Sequence, residues 1–341
     1  MLKRLIVFLI VGICFGAKAG RDWTRFPAVV ESDSNQDIYV VGDVHGDYKT
    51  LVRVLQGARV IGQKPPDPQH VDWIVNHAMV VFMGDLIDKG DHALDVIQFV
   101  QALRKAAQDK GGQVFCVMGN HEAEFLADPS EKKVQDFAQE LNASHVTPAG
   151  VAACQGNIGS FLCGEPIGVR IRGWFFSHGG NTHGRTLAKL KADLQAGVDA
   201  NGFGSQELVG ADSILEARLG DKGVDGGPWF ESGSGHDAKA LLANYTGALR
   251  VKHIVQGHQP GKVVFADGVR REKGQMFQRY GTIFLVDTGM SDAIGDSAGA
   301  VLHITPEPVE QATVICPDGS TTPIWDAKTN PVLGKAKICG P

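Results

Sequence analysis

Six short apolar runs, each ending at a side chain able to bind a metal ion, constrain this chain more than any other feature of its sequence. Ile38 to Val41 leads into Asp43, Met79 to Met83 into Asp85, and Val114 to Met118 into Asn120. Further on, Trp174 to Phe176 leads into His178, Ile254 and Val255 into His258, and Ile283 to Val286 into Asp287. Their richness in Val, Ile and Phe reads as strands. Helical spacing fills several of the gaps, with Val96, Phe99, Val100 and Leu103 on one stripe and Leu187, Leu190 and Leu194 on another. Strands alternating with helices predict an α/β domain. In such folds ligands collect beyond the carboxyl ends of the strands, where these polar residues fall. The pattern alone does not separate an open doubly wound sheet from two packed sheets.

The turns after the runs have their own regularity. Gly42-Asp43-Val44-His45-Gly46 places a carboxylate and an imidazole two residues apart just after a strand, between glycines that permit a tight turn. Alone, this is as compatible with ordinary turn chemistry as with a site. Gly84-Asp85-Leu86-Ile87-Asp88-Lys89-Gly90 repeats the arrangement after the second run, and Gly119-Asn120-His121-Glu122 after the third. Ser177-His178-Gly179-Gly180 and Gly257-His258 follow. Chance does not readily supply all five in order. Carboxylate, imidazole and amide oxygen suit Mn, Fe or Zn, and the set holds no thiolate to favour copper.

In this order the motifs resemble those of the calcineurin-like metallophosphatases and, within them, the PPP phosphoprotein phosphatases. The likeness runs from Gly42 to about Ser291, and Val286-Asp287-Thr288-Gly289-Met290-Ser291 is similar to a segment of the bacterial Shewanella-like branch. It implies a four-layer α/β sandwich, two mixed β-sheets face to face flanked by helices, with a dinuclear metal site at the strand ends. It further implies that Asp43, His45 and Asp85 hold one of two divalent ions (Mn, Fe or Zn) while a bridging Asp85, Asn120, His178 and His258 hold the other. Two such ions share a hydroxide and clamp a phosphoryl group for in-line attack. His121, not needed as a ligand, is free to protonate the leaving oxygen, with Asp88 orienting it. Lys89 and Asn120 are the expected contacts to the substrate phosphate.

Three features bear on the substrate, the last two of them departures from the PPP pattern. Many phosphodiesterases of the superfamily have Gly-His-X-His at the last motif, whereas Gly257-His258-Gln259-Pro260 puts proline at the second histidine, as in the monoesterase-like PPP branch. Lys89 stands where the PPP pattern has arginine, leaving a point charge in place of a bidentate fork. Glu231 follows Pro228-Trp229-Phe230 where related bacterial sequences carry arginine, and an acid there is expected to repel phosphate, with Arg185, Arg218, Arg270 or Arg271 as possible compensation. The leading expectation is a phosphomonoesterase of the serine/threonine or tyrosine phosphoprotein phosphatase type, acting on a phosphorylated protein or small molecule. A phosphodiesterase or nucleotidase is the second reading, and a non-catalytic metal-binding scaffold the third. No Cys-X5-Arg loop is present, which removes thiol-dependent phosphatase chemistry.

Lys3 and Arg4, the apolar run Leu5 to Phe15 and Ala17-Lys18-Ala19 have the layout of a secretory signal peptide over residues 1–19, too short in its apolar part to span a membrane. The expected location is therefore secreted or periplasmic, without stable membrane association. Cleavage removes Lys3, Arg4 and Lys18 and takes the formal charge from −5 to −8, which argues against nucleic acid as a partner. An oxidising compartment admits disulfides. Cys154 with Cys163 and Cys316 with Cys339 are the expected pairs, and Cys116, inside an apolar run, reads as a buried small hydrophobe. The domain is expected over 20–304, with a Gly-rich insertion at 197–235 as a candidate cap and a Pro-rich extended tail at 305–341.

Overall fold

The structure is a computed structural model describing residues 21–219, 229–231, 237–329 and 333–340. The leader expected at 1–19 lies outside the described residues, as do 220–228 and 232–235 of the Gly-rich insertion.

The chain opens with β1 (Val29–Ser32), β2 (Ile38–Val41), α1 (Tyr48–Gly57), β3 (Met79–Phe82), α2 (Ala93–Asp109), β4 (Gln113–Cys116) and α3 (Asn120–Ala127). Three short helices, α4 (Gln135–Ala143), α5 (Pro148–Ala152) and α6 (Gly156–Gly164), lead to β5 (Gly168–Ile171) and β6 (Trp174–Ser177). After α7 (Leu187–Asn201), α8 (Gln206–Val209) and α9 (Ala238–Leu249) come β7 (His253–Gln256), β8 (Val263–Val264), β9 (Arg270–Arg271), β10 (Met276–Arg279) and β11 (Ile283–Leu285). The last strands are β12 (Val301–Ile304), β13 (Gln311–Ile315), β14 (Thr321–Asp326) and β15 (Lys335–Lys337). Each of the six apolar runs became a strand.

Two large mixed sheets result, ordered β1-β5-β6-β7-β11-β10-β15 and β14-β13-β12-β2-β3-β4, with β8 and β9 as a separate hairpin. The period of two along each strand decides which side chain goes where. Ile38, Val40, Met79 and Val81 of one sheet meet Val169, Ile171, Trp174 and Phe176 of the other in a core between the sheets. Val80 and Phe82 point the opposite way, onto Leu51 and Leu55 of α1 and Val96 and Phe99 of α2. Phe175 on the other sheet belongs to the cluster that holds Leu190 and Leu194 of α7. Helix, sheet, sheet, helix is the sandwich that the motif resemblance implied. The segment set apart in the sequence as a tail enters both sheets: β13 and β14 extend one, β15 edges the other, and Cys316–Cys339 ties the two ends together. Cys154–Cys163 is also formed and Cys116 is a buried free thiol. Among the described residues no helix is long and apolar enough to cross a membrane.

Candidate metal centre

β2, β3 and β4 run parallel, so the turns that follow them emerge on one edge, and β6 and β7, parallel to each other in the second sheet, bring His178 and His258 to the same place. The backbone there is bent hard. His45, Asp85, Asp88, Lys89 and His258 all take left-handed φ values between 46° and 69°, a region unfavourable for non-glycine residues that clusters at functional sites. Close approach also dictates glycine at two points. A Cβ on Gly119 would lie 2.2 Å from Asp85 Oδ1, and one on Gly257 would lie 2.5 Å from Asp43 Oδ1.

One buried carboxylate holds the turns in register. Glu122 accepts the N–H groups of Gly119 at 2.8 Å, Asp85 at 2.9 Å, Leu86 at 2.7 Å and Ile87 at 3.3 Å. Burial, then the charge of Asp85, push its carboxyl up to about 7. The sequence showed Glu122 inside its motif but offered no reason to assign it a role, because its partners are backbone amides.

The donor atoms converge in two groups that share Asp85: His45, Asp85 and His121, and Asp85, His178 and His258. His45 Nε2 lies 3.5 Å and His178 Nε2 3.4 Å from Asp85 Oδ2. His178 Nε2 is also 3.0 Å from Asn120 Oδ1 and 3.2 Å from His258 Nδ1. Ligands about 2.0–2.2 Å from one ion stand ~3 Å apart at adjacent coordination positions, so these separations fit a common cation. Asp43 is buried, accepts the His258 N–H at 3.1 Å on each oxygen, and lies outside both tight groups.

The electrostatics point the same way. Burial raises Asp43 well above the ordinary carboxylate range, aided by the neighbouring Asp287. Burial works against ionisation of Asp85 too, but His178 and His121 outweigh it and hold Asp85 well below that range. Burial lowers His178, yet Asp85 and Asp43 more than reverse this and lift it to about 10. Buried carboxylates are thus balanced by protons on neighbouring imidazoles, and a divalent cation meets the same need. Tautomers are set for it at two histidines. His45 Nδ1 faces Ile87 O at 3.2 Å and His178 Nδ1 faces Met83 O at 2.6 Å, so each donates its N–H to a carbonyl and leaves Nε2 as the acceptor toward the centre.

His121 opens α3, and its Nδ1 stands 3.1 Å from Asp88 Oδ2 while Asp88 Oδ1 accepts Phe137 N–H at 3.0 Å. Burial pulls the imidazolium down, but Asp85 and the Asp88 hydrogen bond prevail, and the net shift is upward. Lys89 Nζ sits 2.7 Å from His45 Nε2. Of the four arginines weighed as compensation, Arg271 is buried and spends its guanidinium on the carbonyls of Gln259, Gly261, Gln275 and Asp287. Arg185 is paired with Asp193 and Glu207. Arg270 lies on the exposed side of β9. Arg218 remains: it makes no hydrogen bond or ion pair with a described residue, and its charge bears on both His258 and Glu216. Glu231 does not carry the repulsion expected of it, because it pairs with buried Arg279 at 3.2 Å and accepts Ala266 N–H at 2.8 Å.

Residues 37–262 match the calcineurin-like phosphoesterase family. Shewanella-like protein phosphatase 1 of Plasmodium berghei is 26% identical over 75% of this chain and 68% of its own. A symmetrical bis(5'-nucleosyl)-tetraphosphatase from an Enterobacter species is 33% identical over 31% of this chain and 32% of its own. Among solved structures, the cold-active protein-tyrosine phosphatase of a psychrophilic Shewanella superposes with a TM-score of 0.61 at 20% identity, covering 88% of this chain and 82% of that one. The family works with a dinuclear divalent metal site, and the His and Asp groups here fit one. By its motifs, its fold and this match over most of its length, the chain belongs to the calcineurin-like phosphoesterases and is a metallophosphatase.

Proposed function

We propose that this enzyme is a phosphomonoesterase of the protein phosphatase type, with Asp43, His45 and Asp85 holding one divalent ion and Asp85, Asn120, His178 and His258 the other. The observation that carries the reading is the His121–Asp88 pair, 3.1 Å apart and set beside a donor cluster that both ion sites share through Asp85. When bound, the two ions activate water and neutralise the phosphoryl oxygens. The chain's own residues do the rest. Asp88 fixes the His121 ring with Nδ1–H toward the carboxylate, leaving Nε2 to deliver a proton to the departing oxygen. That proton is available because Asp85 and Asp88 raise the imidazolium above its ordinary value. The Asn120 amide and the cations of Lys89 and Arg218 orient the phosphate, and Glu122 keeps the turns after β3 and β4 from drifting.

Pro260 supports monoesters over diesters, because it removes the second histidine found in many diesterases of the superfamily. The likeness to the bis(5'-nucleosyl)-tetraphosphatase supports a nucleotide-cleaving alternative, though over under a third of either chain. Comparing kcat/KM for p-nitrophenyl phosphate, bis(p-nitrophenyl) phosphate, a dinucleoside tetraphosphate and phosphotyrosine or phosphoserine peptides separates the two. Preference for monoesters and phosphopeptides is expected; dominance of the tetraphosphate would replace the reading. The two disulfides support export to an oxidising compartment.

A further inference from the structure

The three histidines at the centre are not supported alike. His45 and His178 each have their non-facing nitrogen against a backbone carbonyl, Ile87 O and Met83 O. His258 is turned the other way, with Nδ1 toward His178 Nε2 and Nε2 pointing outward. That Nε2 is buried and has no hydrogen-bond partner among the described residues. The carboxylate facing it is Glu216, whose Oε2 lies 3.8 Å away, while the same carboxylate is hydrogen-bonded with Glu124 and its Oε1 lies 3.9 Å from Lys133 Nζ.

Glu216 is held there by a strap that crosses the loops carrying both histidines. Gly179, next to His178, donates its N–H to Ile214 O at 2.7 Å. Gln256 Nε2 reaches Ala217 O at 3.4 Å, and Gln259, next to His258, exchanges two hydrogen bonds with the backbone of Leu219. Ala217 N–H closes onto Ser213 O at 3.0 Å. None of these ties uses the Glu216 side chain, so the strap delivers that side chain without depending on it.

We propose that Glu216 is the positioning residue for His258: it accepts the Nε2–H, fixes the tautomer that presents Nδ1 to the second ion, and so links the 213–219 strap to occupancy of that site. A histidine that ligates a metal almost always donates its other N–H to a carboxylate, carbonyl or water, and losing that partner weakens metal binding by roughly 10–100-fold. At 3.8 Å the pair stands about 1 Å beyond hydrogen-bond length, and the two atoms come to that length when the site is occupied. The inference rests on the metal assignment proposed above, and its failure is separable from failure of that assignment.

The test is titration of chelator-stripped full-length protein with Mn²⁺, comparing the wild type with Glu216→Ala and Glu216→Gln. The wild type binds two ions. Glu216→Ala retains one site at wild-type affinity and weakens the other by roughly 10–100-fold, while Glu216→Gln, which keeps an oxygen acceptor, loses less. In the Zn²⁺-loaded protein, the Nε2 proton of His258 is protected from exchange in the wild type and unprotected in Glu216→Ala, a difference a merely structural role would not produce. Thermal unfolding of the metal-free variant serves as the fold control. Two ions bound by Glu216→Ala with wild-type affinities would overturn the inference and leave the site assignment standing. Fewer than two ions bound by the wild type would overturn the assignment itself, and the inference with it.

Discussion

Asp88→Asn isolates the acid catalyst from the rest of the centre. The substitution is nearly isosteric, and an amide oxygen can still accept the Phe137 N–H that Asp88 Oδ1 receives at 3.0 Å, so the local fold is expected to persist. What changes is the charge 3.1 Å from His121 Nδ1. At that separation the Coulomb energy has an upper limit of about 5 kcal/mol at an effective dielectric of 20. A hydrogen bond to a charged group contributes about 1.5–3 kcal/mol net, which corresponds to roughly 10- to 150-fold in rate. The sign follows from the direction of the shift. His121 titrates above its ordinary value, so its acid form persists to higher pH than an ordinary imidazolium's and is lost as pH rises through the raised pKa. Removing Asp88 lowers that pKa and moves the alkaline limb of the rate profile toward lower pH. The assay is kcat against pH for two monoesters, p-nitrophenyl phosphate, whose leaving group needs little protonation, and an alkyl phosphate, whose leaving group needs it fully. The alkyl substrate is expected to lose about 10- to 100-fold and the aryl substrate much less. Equal losses on both, with an unmoved alkaline limb, would refute the acid role of His121.

Other consequences are as concrete. Glu122→Gln leaves four backbone N–H groups facing one oxygen and one amide, and is expected to cost about 2–4 kcal/mol in denaturant unfolding of the metal-free protein; a change below about 0.5 kcal/mol would show that the turns hold without it. Arg218→Ala removes the candidate guanidinium whose charge bears on His258 and Glu216, and is expected to raise KM for phosphomonoesters roughly 10-fold with kcat less affected. An unchanged KM would leave Lys89 as the phosphate-facing cation. Removing Cys316–Cys339, which closes 23 residues, is expected to cost about 3 kcal/mol by loop-closure entropy, seen as a denaturation midpoint below that of the oxidised wild type, a difference that disappears when both proteins are fully reduced.

The site was more legible in the sequence than the architecture around it. Asp43, His45, Asp85, Asn120, His178 and His258 could be found because each follows an apolar run at a short fixed distance, and parallel strands carry such residues to one edge. The sandwich itself was not encoded in that pattern: a strand of four residues alternates in the same way whether its second face meets a helix or another sheet. It was the family likeness that implied two sheets, and the packing of Ile38 and Val40 against Trp174 and Phe176 shows them. The tail was read as extended because of its prolines, yet Thr313 and Val314 pair with β12 while Pro323 sits on β14, an edge strand where a missing N–H is tolerated. Glu216 escaped notice for another reason, and Arg218 was weighed as a compensating cation with no sign in the sequence of where it falls. Their segment has no periodicity, and only tertiary contacts with Gly179, Gln256 and Gln259 place it over the centre. Glu231 was weighed as a hazard from its position alone, and its partner Arg279 is 48 residues away in sequence.

The most direct test of the central claim is turnover of an aryl phosphomonoester by chelator-stripped protein as Mn²⁺ is returned in measured equivalents, with bound metal counted in the same samples and Asp85→Asn run alongside. Two ions per chain, activity that appears with the second equivalent, and loss of both tight binding and turnover in Asp85→Asn are expected. Full turnover in excess chelator, or at one ion per chain, would contradict a shared two-ion centre built on Asp85.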